Sequence, residues 1–415
     1  MRRIIEKVTN GSKSKVLLDQ AIFSGCGFLI TLLIVRILTP INFGVYSSIV
    51  LVNYFVLSIS NALVIQPFQV YMAQVKQRPE YISFVFYLQL AFVLLLICIL
   101  VLIAQLEFKF LEGFEVNPIH VILFMVSFLA HDFFRKVFLA IDSMAKAILI
   151  DFVTFGLQLI FVFYIYFLGP AVELSELVLL LGLAYVPSVL ISIYLLDLSF
   201  GVTNNWASYV RVHQKEGKWL LMTAVLQWGS GNFFVISSGL FLGAAALGAL
   251  RLIQSVFGVL NLVLQTFENY TLPYASRLFQ DSKDVSKSFL RKMSIRGAVS
   301  VGALLILVFI FSKFIIVLIG GEAYAEYDFL VKGMALLYFI IFLGYPTRIA
   351  IRMMALNQLF FVGYVLSFLF SLLSFQYLLS TWNLWGAVIG LIINQIILFS
   401  VWQYFLIKNQ FNLWK

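Results

Sequence analysis

The sequence predicts an all-α polytopic membrane protein of about twelve transmembrane helices in two six-helix lobes. Three observations carry that prediction: a composition that water cannot solvate, apolar runs of bilayer length, and loop charges that alternate in sign. Of the 415 residues, 62% are hydrophobic and 11% are charged. Soluble domains carry about 25% charged and roughly 45–50% apolar residues. A surplus this large needs lipid to cover it.

Runs able to cross ~30 Å of hydrocarbon lie near 16–38, 43–66, 82–105, 119–141, 146–168, 177–199, 217–241, 244–271, 294–319, 330–353, 358–380 and 385–407. In lipid each backbone amide must be satisfied within its own segment, so runs of this length read as helices. An N-terminal basic stretch and the tetrad Phe23-Ser24-Gly25-Cys26 resemble a lipoprotein signal. Asp19 interrupts the apolar region ahead of Cys26, and the run continues to Leu38, so helix 1 is expected to stay in the mature protein. Cys26 and Cys98 both lie in apolar runs and read as packing residues.

Charge orients the chain. One side carries Arg2, Arg3, Lys7, Lys13 and Lys15; Lys76 and Arg78; Arg135, Lys136 and Lys146; Arg211, Lys215 and Lys218; Arg277, Lys283, Lys287, Arg291, Lys292 and Arg296; Arg348 and Arg352; and Lys408 and Lys415. The other side is acidic: Glu107, Glu112 and Glu115, then Glu173 and Glu176, then Glu322, Glu326 and Asp328. Its basic residues are Lys109, Lys313 and Lys332, near helix ends. The positive-inside rule then puts both termini in the cytoplasm of a bacterial inner-membrane protein. The net charge of +9 is explained by this bias, with no nucleic-acid partner required.

The chain also repeats itself. Thr39-Pro40 and Phe43-Gly44 link helices 1 and 2, and Pro67 is expected to end helix 2. Gly243 and Gly248 link helices 7 and 8, and Pro273 is expected to end helix 8. The resulting organisation is an N-terminal lobe at 1–199, a cytoplasmic linker loop at 200–216 and a C-terminal lobe at 217–415. Such parallel repeats place substrate between their halves.

Enzyme chemistry finds no support. No Gly-rich loop ends in Gly-Lys-Ser/Thr, and no nucleophile has an identifiable base. His120, His131 and His213 are scattered and form no metal-ligand pattern. The expectation is a non-enzyme with no cofactor and no metal. The informative feature is polarity inside the spans. Helix 8 carries Arg251, Gln254, Gly258, Asn261, Gln265 and Glu268 at alternating spacings of three and four, on one slowly turning face. A charge at the bilayer centre costs about 2.5–3.5 kcal/mol or more, so such a stripe lines a cavity or bonds to a neighbouring helix. Cavity lining is favoured, because the stripe holds both a cation and an anion. Milder polar faces on helix 1 (Gln20, Ser24, Gly27, Thr31), helix 2 (Asn53, Ser60) and helix 7 (Gln227, Ser230, Asn232) fit a central cavity. Arg348 and Arg352 share a face of helix 10, and Arg135 lies at a similar depth in helix 4. They read either as snorkelling cations or as a clamp for a phosphorylated headgroup.

Several segments together resemble the polysaccharide-biosynthesis flippases of the multidrug/oligosaccharidyl-lipid/polysaccharide superfamily. They are VRILTPINFGVYSSIVLV, FRKVFLAIDSMAKAILIDFV, LPYASRLFQDSKDVSKSFLRK, GGEAYAEYDFLVKGMALLYF and NLWGAVIGLIINQ, in that order. The resemblance spans nearly the whole chain. It implies two lobes that alternate access, and a polyprenyl-pyrophosphate-linked oligosaccharide as substrate. The repeat unit would belong to O-antigen, capsule or exopolysaccharide. It also implies cavity cations that meet the pyrophosphate, for which Arg36 and Arg251 match by position. A polysaccharide polymerase and a chain-length regulator are the expected partners. Asp19 and Glu268 are candidates for ion coupling. The competing reading is a cation-coupled multidrug exporter of the same superfamily; a membrane polymerase or ligase would need larger outer loops.

Overall fold

The computed structural model describes Asp19 and residues 21–72, 75, 78–105, 116–169, 172–196, 198 and 205–414. Arg2, Arg3, Lys7, Lys13, Lys15, Gln20, Lys76, Glu107, Lys109, Glu112, Glu115 and Lys415 lie outside the described residues. Every element among the described residues is a helix. In chain order they are α1 (Gly27–Ile37, preceded by a π-helical stretch Ala21–Cys26), α2 (Pro40–Tyr71), α3 (Arg78–Gln105), α4 (Pro118–Ala140) and α5 (Met144–Leu168). They continue with α6 (Leu174–Leu195), α7 (Trp206–Leu242), α8 (Ala244–Asp281), α9 (Lys283–Ile310, followed by Ser312–Gly320) and α10 (Asp328–Met353). The run Asn357–Lys408 bends at Asn383, whose backbone is non-helical, and so divides into α11 and α12. That makes twelve helices, as the hydropathy predicts.

Nine of the described helices are long and apolar enough to cross a membrane, with α11 and α12 together as one of them. The remaining two, α1 and α4, are respectively shorter and loaded with Asp132, Arg135 and Lys136 near its end.

The ends follow local rules. Thr39 Oγ1 accepts from the Asn42 N–H at 3.3 Å, with Pro40 as the first helical residue of α2. Asn117 caps α4 in the same way, accepting from the Ile119 N–H at 2.9 Å, again with proline next. At the α7–α8 turn, Gly243 has φ +92°, a conformation that a Cβ disfavours.

Neither proline ends its helix. Pro67 lies within α2 and Pro273 within α8. A proline inside a helix lacks the N–H that would bond the carbonyl four residues back. In α2 that orphan is the Leu63 carbonyl, which lies in a π-helical stretch Asn61–Ile65. The His213 Nδ1 sits 3.0 Å from it and takes the place of the missing donor. The other ring nitrogen of His213 is 2.9 Å from the Tyr81 hydroxyl.

His213 comes from a stretch read as linker. Residues 206–216 are the first turns of α7. Trp206, Tyr209, His213 and Gly217 recur at helical spacing. Tyr209 is buried against Tyr81 and Phe84, with ring centroids 4.8 and 5.5 Å apart.

The chain forms two compact units. The first holds residues 1–38 and 49–225, and the second holds 39–48 and 226–415. The division therefore falls inside α7, at Val225/Leu226, and the first turns of α2 belong to the second unit. The core of the first unit includes Phe68, Tyr81, Phe84, Phe133, Phe134 and Phe138. That of the second includes Leu264, Leu290, Phe342, Tyr345 and Trp402.

Within the second unit the starts of α2 and α8 cross at glycines. A Cβ on Gly44 would run into the Ala244 backbone carbonyl, and one on Gly248 would lie 2.9 Å from the Gly44 nitrogen. Small residues let helix backbones approach this closely in membranes. The two glycines that the sequence repeat aligns are thus each other's neighbours.

The crossing predicts that Gly44→Ala lowers stability by about 1–3 kcal/mol through backbone overpacking. Gly156→Ala in α5, with open space at its Cβ position, should be neutral or stabilising by up to about 1 kcal/mol. Melting temperatures of the two purified variants check this; equal values would refute the close crossing.

Candidate functional site

In the second unit the polar face of α8 meets α10. Asn261 donates to the Tyr338 hydroxyl at 2.7 Å. Glu268, buried at 4% exposure, is paired with Arg352 and lies 3.6 Å from the Arg348 Nε. Four residues separate Arg348 from Arg352, so one helix turn brings both guanidiniums to one carboxylate. Two cations against one anion leave a net charge of +1.

Further along the stripe, Arg251 donates to Gln254 at 3.0 Å, three residues ahead on the same helix. Gln265 is exposed. The stripe therefore serves both readings the sequence left open. Part of it bonds α10, and Asn261 also lines a cavity.

That cavity has a volume of about 240 Å³ and lies wholly within the second unit. Its lining comes from α7 (Gln227, Ser230), α8 (Asn261), α10 (Tyr345, Arg348), α11 (Tyr364) and α12 (Gln395, Trp402). Its walls are fixed by their own bonds. Trp402 donates to the Phe360 carbonyl at 3.2 Å and stacks on the Phe360 ring at 4.8 Å. The Ser230 and Ser367 hydroxyls are 2.7 Å apart, and Asn394 donates to the Ser230 carbonyl at 3.0 Å. Arg348 lies over the Tyr345 ring at 5.6 Å.

The first unit holds a second polar cluster. Arg135 of α4 donates from Nε to Asp151 of α5 at 2.7 Å, and from its terminal nitrogen to Asp19 at 2.8 Å. Its guanidinium sits 4.0 Å from the Phe23 ring centroid. His131 Nε2 is 3.3 Å from the other Asp151 oxygen. Next to this group, Lys136 pairs with Asp132 at 2.7 Å and donates to Asn61 at 2.9 Å. Asp151 is fully buried, and Arg135 and Asp19 are each 8% exposed.

Of the predicted residues, the structure brings Asp19 together with Arg135, and Glu268 with Arg348 and Arg352. Arg36 is exposed in the last turn of α1. There its charge complements the negative end of the helix. Among the described residues no group of three or more His, Cys, Asp or Glu is placed to hold a metal ion.

Sequence reasoning gave no role to Asp151, Tyr345, Tyr364, Gln395 or Trp402. Asp151 had a visible signal, because a lone carboxylate in an apolar run must find a partner. The aromatic and amide residues of α11 and α12 had none, since their meeting depends on the packing of five helices.

No family model matches this chain, and no curated protein does. Solved structures match it along nearly its whole length. An inward-facing multidrug resistance MATE family transporter of the MOP superfamily superposes with TM-score 0.71 at 11% identity, covering 95% of both chains. A mutant of a Vibrio cholerae MATE transporter gives TM-score 0.63 at 12% identity, covering 96% of this chain and 98% of that one. A MOP superfamily transporter from Pyrococcus furiosus, described as having a binding pocket of reverse polarity and a different function, gives 0.52 at 14%, covering 98% and 94%. The fold of this multi-pass membrane protein is that of the MOP superfamily transporters.

Proposed function

We propose that this chain is a flippase. It moves a polyprenyl-pyrophosphate-linked oligosaccharide from the cytoplasmic to the periplasmic leaflet of a bacterial inner membrane by alternating access. The repeat unit would serve O-antigen, capsule or exopolysaccharide, and its product would pass to a polymerase and chain-length regulator. A pyrophosphate and several sugars cannot cross hydrocarbon unaided, because each desolvated polar group costs several kcal/mol.

The observation that carries the reading is the Arg348–Glu268–Arg352 constellation. Its excess guanidinium suits an anionic headgroup, which a guanidinium can bind through two parallel hydrogen bonds. Arg36 and Arg251 remain candidates for further contacts with the pyrophosphate, and Gln254, Asn261 and Gln265 for contacts with sugar.

A second reading, a cation-coupled multidrug exporter, has its own support. Two of the structural neighbours are described as multidrug resistance transporters, and the first unit sets two carboxylates, Asp19 and Asp151, against one guanidinium. Within the flippase reading that spare negative charge is where a coupling proton or sodium ion would bind, with Asp19 in the role the sequence suggested. Arg135, already held by both carboxylates, then serves as a structural cation.

Two outcomes follow. Cells lacking the protein should accumulate lipid-linked oligosaccharide and lose surface polymer. The Arg348→Ala/Arg352→Ala pair, at normal membrane levels, should restore less than about a tenth of the wild-type polymer, a loss that one charge-assisted contact accounts for. Full restoration, or a phenotype confined to drug sensitivity, would favour the exporter. Secondly, Arg135→Leu should destabilise the protein by about 3–5 kcal/mol, because it strands buried carboxylates. Adding Asp151→Leu should recover much of that loss. A thermal-melt double-mutant cycle measures the coupling, and additive losses would contradict the pairing.

A further inference from the structure

The cavity of the second unit adds its own lining groups to the ion pair at its edge. Gln227 and Gln395 both line it, and neither carboxamide hydrogen-bonds to any described residue. Each amide offers two donors and an acceptor. The Arg348 Nε also has no hydrogen-bond partner, since its 3.6 Å separation from Glu268 exceeds hydrogen-bond reach. The same cavity is also lined by aromatic residues, Tyr345, Tyr364 and Trp402. Trp402 and Tyr364 pack edge to face, 5.7 Å between centroids, so their orientation is set before any ligand arrives.

The geometry points to a subsite for one acidic sugar ring, a hexopyranose bearing a single carboxylate. A pyranose has an apolar C–H face for the aromatic surfaces and equatorial hydroxyls for the two carboxamides. Its carboxylate would meet the free side of the Arg348 guanidinium. Size agrees. At about 240 Å³ the cavity falls just below the roughly 300–1,000 Å³ of pockets for drug-sized ligands and has room for one ring.

Arg348 and Arg352 against Glu268 leave a net +1, a balance that a sugar monoanion meets. A cationic ligand would face an uncompensated guanidinium. This inference rests on the flippase reading for its biological sense, but the binding site stands or falls on its own chemistry.

Methyl glucuronide and methyl glucoside are the probes, measured against the purified full chain in nanodiscs by saturation-transfer NMR titration. They differ in the carboxylate alone. The glucuronide should bind about tenfold to a hundredfold more tightly, the range expected for one charged hydrogen-bonded contact. Arg348→Gln should erase that preference, while Gln395→Leu should weaken both probes. Arg348→Lys, which retains the charge, should keep part of the preference. Should Arg348→Gln fail to fold, the Lys variant and Gln395→Leu still decide the matter. Equal binding of the two probes to wild type, or a preference that survives Arg348→Gln, overturns the subsite. If lipid-linked oligosaccharide fails to accumulate in cells lacking the protein while the glucuronide preference holds, the flippase reading fails and the acidic-sugar site remains.

Discussion

Asp151 is a fully buried carboxylate and the one acidic residue of the largely apolar helix α5. Lipid offers it neither water nor hydrogen bonds, so protein must supply a cation. Arg135 does so, and in doing so it ties α4, α5 and the segment that leads into α1 to one another. The same rule governs the second unit, where Glu268 draws Arg348 and Arg352 of α10 onto α8. In both units the charges are arranged around acids that could not otherwise remain in a membrane. Much of the polar architecture follows from that requirement.

The two units meet it with opposite surpluses. Around Arg135 carboxylates outnumber guanidiniums, and around Glu268 guanidiniums outnumber carboxylates. The spare charge is thus negative in one unit and positive in the other. The MOP superfamily fold supplies two related units in which such a division can arise, although fold alone does not name the cargo.

Backbone satisfaction obeys the same logic. Pro67 leaves the Leu63 carbonyl without its helical donor, and His213 from another helix provides one. That single bond converts what a sequence reader takes for a helix end into a continuous α2. It also anchors the start of α7 in the first unit, through Tyr81 and Tyr209. The glycines at 44 and 248 act at the opposite level, by having no side chain at all, so that two backbones can touch.

The sequence by itself determined the number of helices and the all-helical class. Hydrocarbon solvation depends on local composition, and twenty apolar residues report it without help from the rest of the chain. It also marked Glu268, Arg348, Arg352, Arg135 and Asp19 as residues with something to explain, because charges in apolar runs are legible one at a time. Which charge pairs with which was decided by the tertiary structure. Asp19 and Arg135 are far apart in sequence, and their meeting depends on how α1, α4 and α5 pack. The same holds for the cavity bounded by Gln227, Arg348, Gln395 and Trp402. Hydropathy gives each of those residues as one more member of a span, and only the packing of five helices turns them toward a common space.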